Sequence, residues 1–405
     1  MKILHVAPHL GGGVGKAHAA IAGLLPKTIK QTFVLLEAPR DCRYANAVEA
    51  TGARVLVADD LAQVTRLAKE SDIVQFEFWN HPRLFESLVR CNFPAMRTVF
   101  WSHISGLSTP VIPPGLIEAA GRFVVTTEAS KSVAAIAALH RTAPHKFAVI
   151  NSGFGFADPP PLAAQPGAPI AYLGTVDFAK MHPWFFDAVD RLAGTDIKAS
   201  VWGDADPDVI LYARQMRHPQ RVLFCGQTAE PARALSGASI FFYPLQRDHY
   251  GTAENALVEA MSLGLVPVLL DNPAELAIVK DGENGLIARS IDECVARLQM
   301  LLGSGELRTE MGQAAIRSVV ETRMPALSAR KLTDLWQGLL NEPPRHIDFR
   351  KAIGNSPADW FLATQRLPGE IYQLDAAGPP RAAKGTLAHF QTVFAGDKEL
   401  DNLRG

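Results

Sequence analysis

The stretch Tyr250–Ala288 reads YGTAENALVEAMSLGLVPVLLDNPAELAIVKDGENGLIA. Gly251, Thr252 and Ala253 are small and turn-prone, and the apolar spacing of Glu254 to Leu263 predicts a helix that they open. Gly264 stops that helix, Leu265 to Leu270 predicts a buried strand, and Asp281-Gly282-Glu283-Asn284-Gly285 predicts a turn. A helix opened by Gly and Thr presents backbone N–H groups and a partial positive charge, which suits a diphosphate. Glu259 falls about one and a half turns into the helix, within reach of hydroxyls on a ligand whose phosphates sit at its start.

On both sides of this unit, short apolar strands alternate with helical segments. Candidate strands in the first part are Ile3–Ala7, Phe33–Glu37, Arg54–Val57, Ile73–Phe76, Thr98–Trp101, Phe123–Thr126 and Phe147–Ile150. The proline-rich DPPPLAAQPGAP, residues 158–169, breaks the pattern and reads as a linker. Alternation resumes at Ile170–Leu173, Lys198–Trp202, Val222–Phe224, Ile240–Tyr243 and Val266–Leu270, then gives way to helical segments up to Leu340. The fold class expected is α/β: two doubly wound, Rossmann-like domains over residues 1–157 and 170–342, facing across a cleft. Residues 343–405 form a C-terminal appendage with Trp360, Phe361, Tyr372, Phe390 and Phe394, too aromatic for a disordered tail. Two readings of it stay open: packing against the body or a partner subunit, and an acceptor-side element.

Composition excludes several classes. A net charge of −1 over 405 residues argues against a nucleic-acid binder driven by phosphate neutralisation. Cys42, Cys91, Cys225 and Cys294 have no ligand spacing, so neither a zinc site nor a disulfide framework is indicated. The apolar stretch before Gly11 is too short for a signal peptide, and no apolar run approaches a membrane span. The expectation is a cytoplasmic protein, with peripheral membrane contact and oligomer formation left open.

The ordered matches in Tyr250–Ala288 resemble the donor site of retaining nucleotide-sugar glycosyltransferases of the family 4 type, which have the two-Rossmann GT-B architecture. In that family a Glu, seven residues and a second Glu precede Ala-Met and a small residue. Gly-x-Pro-Val and Asp-Gly-x-Asn-Gly-Leu follow. Glu259-Ala260-Met261-Ser262, Gly264 to Val268, Glu275 and Asp281 to Leu286 match. The first Glu of the pair is absent, since counting back eight from Glu259 lands on Gly251. Asp248 and Glu254 are the candidates to replace it.

The same resemblance interprets other motifs. His9-Leu10-Gly11-Gly12-Gly13-Val14-Gly15-Lys16 follows the first strand but lacks the register of a Walker A loop or of a dinucleotide fingerprint. It reads as a glycine loop at a helix start, able to approach a phosphate or an acceptor, and the resemblance makes it the N-terminal glycine loop with Gly12 and Gly13 near the donor. Leu173-Gly174-Thr175, with Lys180 soon after, resembles the family's Gly-Arg-Leu and Lys-Gly segments, whose charges neutralise the leaving diphosphate. Lys180 is kept, and Thr175 stands in the Arg position. Gln227 belongs to a segment that lies beside the nucleotide base in relatives. His103 takes the place of a histidine that faces the donor sugar, and His81 could line the acceptor side. Asp204-Ala205-Asp206 sits where the family has a loop, so it reads as loop and helix-capping residues rather than a metal site.

The function so implied is transfer of a sugar from a nucleoside-diphosphate sugar to a glycan, lipid-linked or small-molecule hydroxyl acceptor. Anomeric configuration would be retained, within glycan, surface polysaccharide or glycolipid synthesis. Lys180 and His103 are the expected catalytic residues. Gly12, Gly13, Gly174, Thr175, Gln227, Thr252, Glu254, Asn255 and Glu259 are the expected donor-binding residues, with no metal, no cofactor beyond the donor and no nucleic acid. The alternatives are a catalytically silent nucleotide-sugar-binding protein, for which Gly251 and Thr175 speak, and a nucleotide-sugar epimerase of the same architecture.

Overall fold

A computed structural model describes residues 1–153, 169–194, 196–249, 251, 255–366 and 385–403. Most of the linker 158–169 lies outside the described residues, as do Thr252 and Glu254. The chain divides into two compact units. Among the described residues, one takes in 1–153, Gly251 and the chain from Pro325 onward; the other holds those from 169 to 249 and from 255 to 324.

The first unit contains seven strands: β1 (Lys2–Ala7), β2 (Lys30–Leu35), β3 (Arg54–Val57), β4 (Ile73–Phe78), β5 (Thr98–Ser102), β6 (Arg122–Val125) and β7 (Phe147–Val149). Their order is β3-β2-β1-β4-β5-β6-β7, all parallel. The second unit contains β8 (Ile170–Leu173), β9 (Ala199–Trp202), β10 (Val222–Gly226), β11 (Ile240–Tyr243), β12 (Val266–Leu270) and β13 (Leu286–Ala288). Their order is β10-β9-β8-β11-β12-β13, again all parallel. Helices flank both sheets, so each unit is a Rossmann-like α/β layer structure. Strand β13 was not expected as a strand: three residues after a turn carry too little periodicity to declare themselves.

Each sheet has a switch point where the strand order reverses, between β1 and β4 in the first unit and between β8 and β11 in the second. Loops leave such a point in opposite directions and open a crevice at the carboxyl ends of the strands, where ligands bind in open α/β sheets.

The helix Pro325–Leu340 belongs with the first unit, not with the second where the sequence reading put it. Fully buried Trp336 packs with Trp101, Val99 and Val124 behind the first sheet, and its indole donates to Gln75 Oε1 at 2.9 Å. Ser328 Oγ donates to the Asn151 carbonyl at 2.9 Å. Apolar burial of this size outweighs proximity in sequence. The appendage packs against the body. Phe349, Trp360, Phe361 and Phe390 share one core with Phe76, Phe85 and Phe100 on the other side of the same sheet. Among the described residues, no helix is long and apolar enough to cross a membrane.

Candidate functional site

In the second unit, the carboxyl ends of β8, β9 and β10 are tied together. Gly174 N donates to the Trp202 carbonyl at 3.0 Å, and Gly203 N donates to the Gly226 carbonyl at 2.9 Å. A side chain at Gly203 would place Cβ 2.1 Å from the Gly174 carbonyl oxygen, so close backbone approach demands glycine there. Gly174 itself has φ 154°. Thr175 uses its carbonyl to accept the Tyr172 hydroxyl at 2.7 Å.

Lys180 follows in a turn held by Asp177, whose Oδ1 accepts the Lys180 N–H at 2.9 Å. The Lys180 ammonium lies 5.7 Å from the centroid of Tyr243, the last residue of β11, so it stands at the switch point. Burial, with the nearby Asp206 carboxylate adding to it, pushes the Asp177 carboxyl above its ordinary value despite the Lys180 N–H bond. Asp206 occupies the N-cap position of the helix Pro207–Arg214, as expected of a loop residue, but its side chain makes no capping bond.

The helix Asn255–Ser262 starts at Asn255 and buries Glu259, which is 3% exposed. Ser262 Oγ donates to the Glu259 carbonyl at 2.7 Å. The turn after β12 forms as read: Asp281 Oδ1 accepts Ile287 N at 2.9 Å, and Gly282 has φ 79°. Gln227 is exposed beyond β10, and Asp248 is exposed before the helix Asn255–Ser262. The sequence reading passed over His249, whose Nε2 lies 2.9 Å from Glu275 Oε1 with both side chains buried. Its place directly before Tyr250 was the available signal.

In the first unit, Gly12 caps the helix Gly13–Ile21 with φ 77° and ψ −151°, a conformation only glycine adopts readily. Gly12 and Gly13 are exposed. His103, after β5, points Nε2 at Glu77 Oε2, 2.9 Å away. Glu77 Oε1 receives Gln75 Nε2 at 2.9 Å and His5 Nδ1 at 3.0 Å, and His18 Nε2 stands 3.0 Å from it. Burial is the largest influence on Glu77 and pushes its pKa up. The His18 charge and the bonds from His103, His18 and His5 together outweigh it, holding the carboxyl well below its ordinary range. Burial lowers His103 as well, against the pull of Glu77, and lowers His5 from 6.5 to about 4. A neutral His103 that donates from Nε2 keeps its lone pair on Nδ1, so that atom accepts hydrogen bonds. Glu77 was missed because a carboxylate inside a fully buried strand has no sequence motif; polar residues at alternate positions 75 and 77 were the only hint.

Residues 168–304, spanning the second unit's switch point and the helix Asn255–Ser262, match the family model described as Glycosyl transferases group 1. That match supports a glycosyltransferase. No curated protein matches the chain. Among solved structures, it resembles Anabaena Alr3699/HepE in complex with UDP and glucose, at TM-score 0.66 and 14% identity. That likeness covers 84% of this chain and 100% of the other. It also resembles the lipopolysaccharide outer core galactosyltransferase WaaB (TM-score 0.61, 16% identity, 84% and 99% covered). A sucrose-phosphate synthase from Thermosynechococcus elongatus matches at TM-score 0.61 and 14% identity, with 84% and 100% covered. Likenesses at this level of identity define the fold, which is the GT-B arrangement of two Rossmann-like units.

Proposed function

We propose that this protein transfers a sugar from a nucleoside-diphosphate sugar to a hydroxyl acceptor, with retention at the anomeric carbon. The observation that carries the reading is the coincidence of a group 1 glycosyltransferase match with Lys180, Gly174 and buried Glu259 in one domain. Glu259 accepts hydrogen bonds from the donor's ribose hydroxyls. Lys180 and the N–H groups opening the helix at Asn255 stabilise the diphosphate as it departs. The leaving diphosphate takes the acceptor proton on the same face of the sugar, so no protein nucleophile is required. His103, with Nδ1 held as an acceptor, takes a hydrogen bond from a donor-sugar hydroxyl. Gly12 and Gly13 allow the first unit's loop to approach the donor, and Gln227 lies toward the base. No metal takes part. The acceptor is a glycan, lipid-linked or small-molecule hydroxyl, in glycan or surface polysaccharide synthesis in the cytoplasm.

A uridine diphosphate sugar is the donor to try first, because solved relatives of this fold hold UDP, and UDP with glucose. A thermal-shift panel of nucleoside diphosphates and their sugars identifies the donor, since a ligand of the native state raises its melting temperature. Proton NMR of the product then reads the anomeric configuration. A product inverted relative to the donor would refute retention, and a folded protein indifferent to every nucleotide sugar would refute the whole reading.

A further inference from the structure

The first unit's switch point holds a second cluster that the proposed mechanism does not use. His9 follows β1, Glu37 follows β2, and His81 follows β4. His389 comes from the C-terminal helix Leu387–Val393. His81 Nε2 lies 3.3 Å from Glu37 Oε1. The His81 ring is 5.7 Å from His9 and 4.7 Å from His389, edge to face in both cases. His9, Glu37 and His81 bring their ligand atoms within 4.8 Å of one another, close enough for a cation.

The tautomers decide against a cation. His9 Nδ1 accepts Gly11 N at 3.1 Å, His81 Nδ1 accepts Arg83 N at 3.2 Å, and His389 Nδ1 accepts Gly385 N at 3.1 Å. An imidazole whose Nδ1 accepts is neutral and carries its proton on Nε2. A metal-bound histidine needs the reverse: a lone pair on the ligating nitrogen and an N–H on the other. His81 is thus set as an Nε2–H donor toward the Glu37 carboxylate, with the His9 and His389 rings packed edge-on against it.

Glu37 is that carboxylate, and its side chain is 39% exposed. The His81 hydrogen bond, opposed by partial burial and aided by the charges of His81, His9 and His389 when protonated, holds it below its ordinary value. It is therefore an ionised acceptor and a poor proton-abstracting base. An anion would meet the Glu37 charge. A neutral hydroxyl both donates and accepts, and it fits a carboxylate set beside N–H groups.

The neighbouring loop is under constraint. Asn80 has φ 64°, and both of its amide atoms are buried without a partner, as is Trp79 Nε1. Unsatisfied polar atoms on a left-handed, non-glycine residue concentrate at functional sites. The appendage sits on this loop. Gly385 has φ +80°, and a Cβ there would lie 2.5 Å from Asn80 Nδ2.

We propose that Glu37, oriented by His81 and backed by His389 of the C-terminal extension, binds hydroxyls of a neutral polyhydroxyl acceptor such as a hexoside. This deepens the glycosyl-transfer reading by giving the acceptor a site and the extension a task, and its test stands apart from donor binding. The probes are methyl glycosides of neutral hexoses, methyl glucuronide, zinc ion and UDP, each titrated against the full chain by saturation-transfer NMR and calorimetry. The expected result is binding of a neutral methyl hexoside in preference to the glucuronide. That binding falls about tenfold or more in Glu37→Ala and in the volume-preserving Glu37→Gln, and severalfold in His389→Ala, while UDP affinity is unchanged. Circular dichroism and melting temperature identify any variant that fails to fold, and Glu37→Gln then decides. Absence of hexoside binding, preference for the glucuronide, stoichiometric zinc binding lost in Glu37→Ala, or variants that bind hexosides normally would each overturn the proposal. Hexoside binding with no response to any nucleoside diphosphate or nucleotide sugar would instead sink the donor reading and leave this one standing.

Discussion

Glu77 Oε2 accepts a hydrogen bond from His103 Nε2 at 2.9 Å, and this buried carboxylate is the fixed point around which the first unit's polar core is built. His5, Gln75 and His103 donate to it from β1, β4 and the loop after β5, and His18 crowds it from the first helix. Its replacement by Gln removes the charge and turns an amide N–H₂ toward these donors. Breaking a buried ionic network in this way costs about 3–5 kcal/mol. Urea denaturation of Glu77→Gln checks the loss; a variant as stable as the parent would show that the network is ornamental.

Acid should destabilise the first unit before ordinary carboxylates titrate. His5 is held neutral by burial, with its pKa lowered from 6.5 to about 4. Below 6.5 the unfolded chain takes up a proton that the folded protein refuses, so stability is full above that value. It falls between pH 6.5 and about 4 by on the order of 3 kcal/mol. Glu77, also depressed, adds a further loss at lower pH as it is protonated in the unfolded chain first. Denaturant midpoints across this range test the sign, and a flat profile would contradict it.

Removing the Glu259 side chain as Glu259→Ala should weaken nucleotide-sugar binding by about 1.5–3 kcal/mol, the worth of hydrogen bonds to a charged group. Calorimetric titration with the donor measures it. Unchanged affinity in a folded variant would mean that Glu259 does not hold the ribose.

Lys180→Ala should depress turnover more than donor affinity, because negative charge on the diphosphate grows as the glycosidic bond breaks. Saturation kinetics separate the two effects. A loss confined to donor affinity, with the rate at saturation intact, would assign Lys180 to ground-state binding only.

Chelation should leave turnover within about threefold of the untreated enzyme, a small change in barrier. A metal-dependent transferase would lose activity in EDTA and regain it with manganese or magnesium. Loss of that kind, repeated in Asp204→Ala, would make Asp204-Ala205-Asp206 a cation site and end the metal-free mechanism.

Local patterning was enough to read the alternating strands and helices, the helix that carries Glu259, and the turn at Asp281–Gly285. Each depends on neighbours within a few residues: an apolar period, a stop glycine, an Asn-Gly turn. The strands expected at Ile3–Ala7, Arg54–Val57, Ile170–Leu173, Ile240–Tyr243 and Val266–Leu270 stand in the sheets within a residue or so of the ends assigned to them. What the sequence could not supply was which distant residues meet. Trp336 reaches Gln75, and that contact carries the helix Pro325–Leu340 into the first unit. Three histidines converge on Glu77, and His389 stacks edge-on against His81 more than three hundred residues away in sequence. Hydrophobic burial is non-directional, so sequence shows how much apolar surface a segment must hide but not against which partner. Polar groups carried inward by that burial then find one another, and only the tertiary structure decided that they would form a carboxylate held by imidazoles.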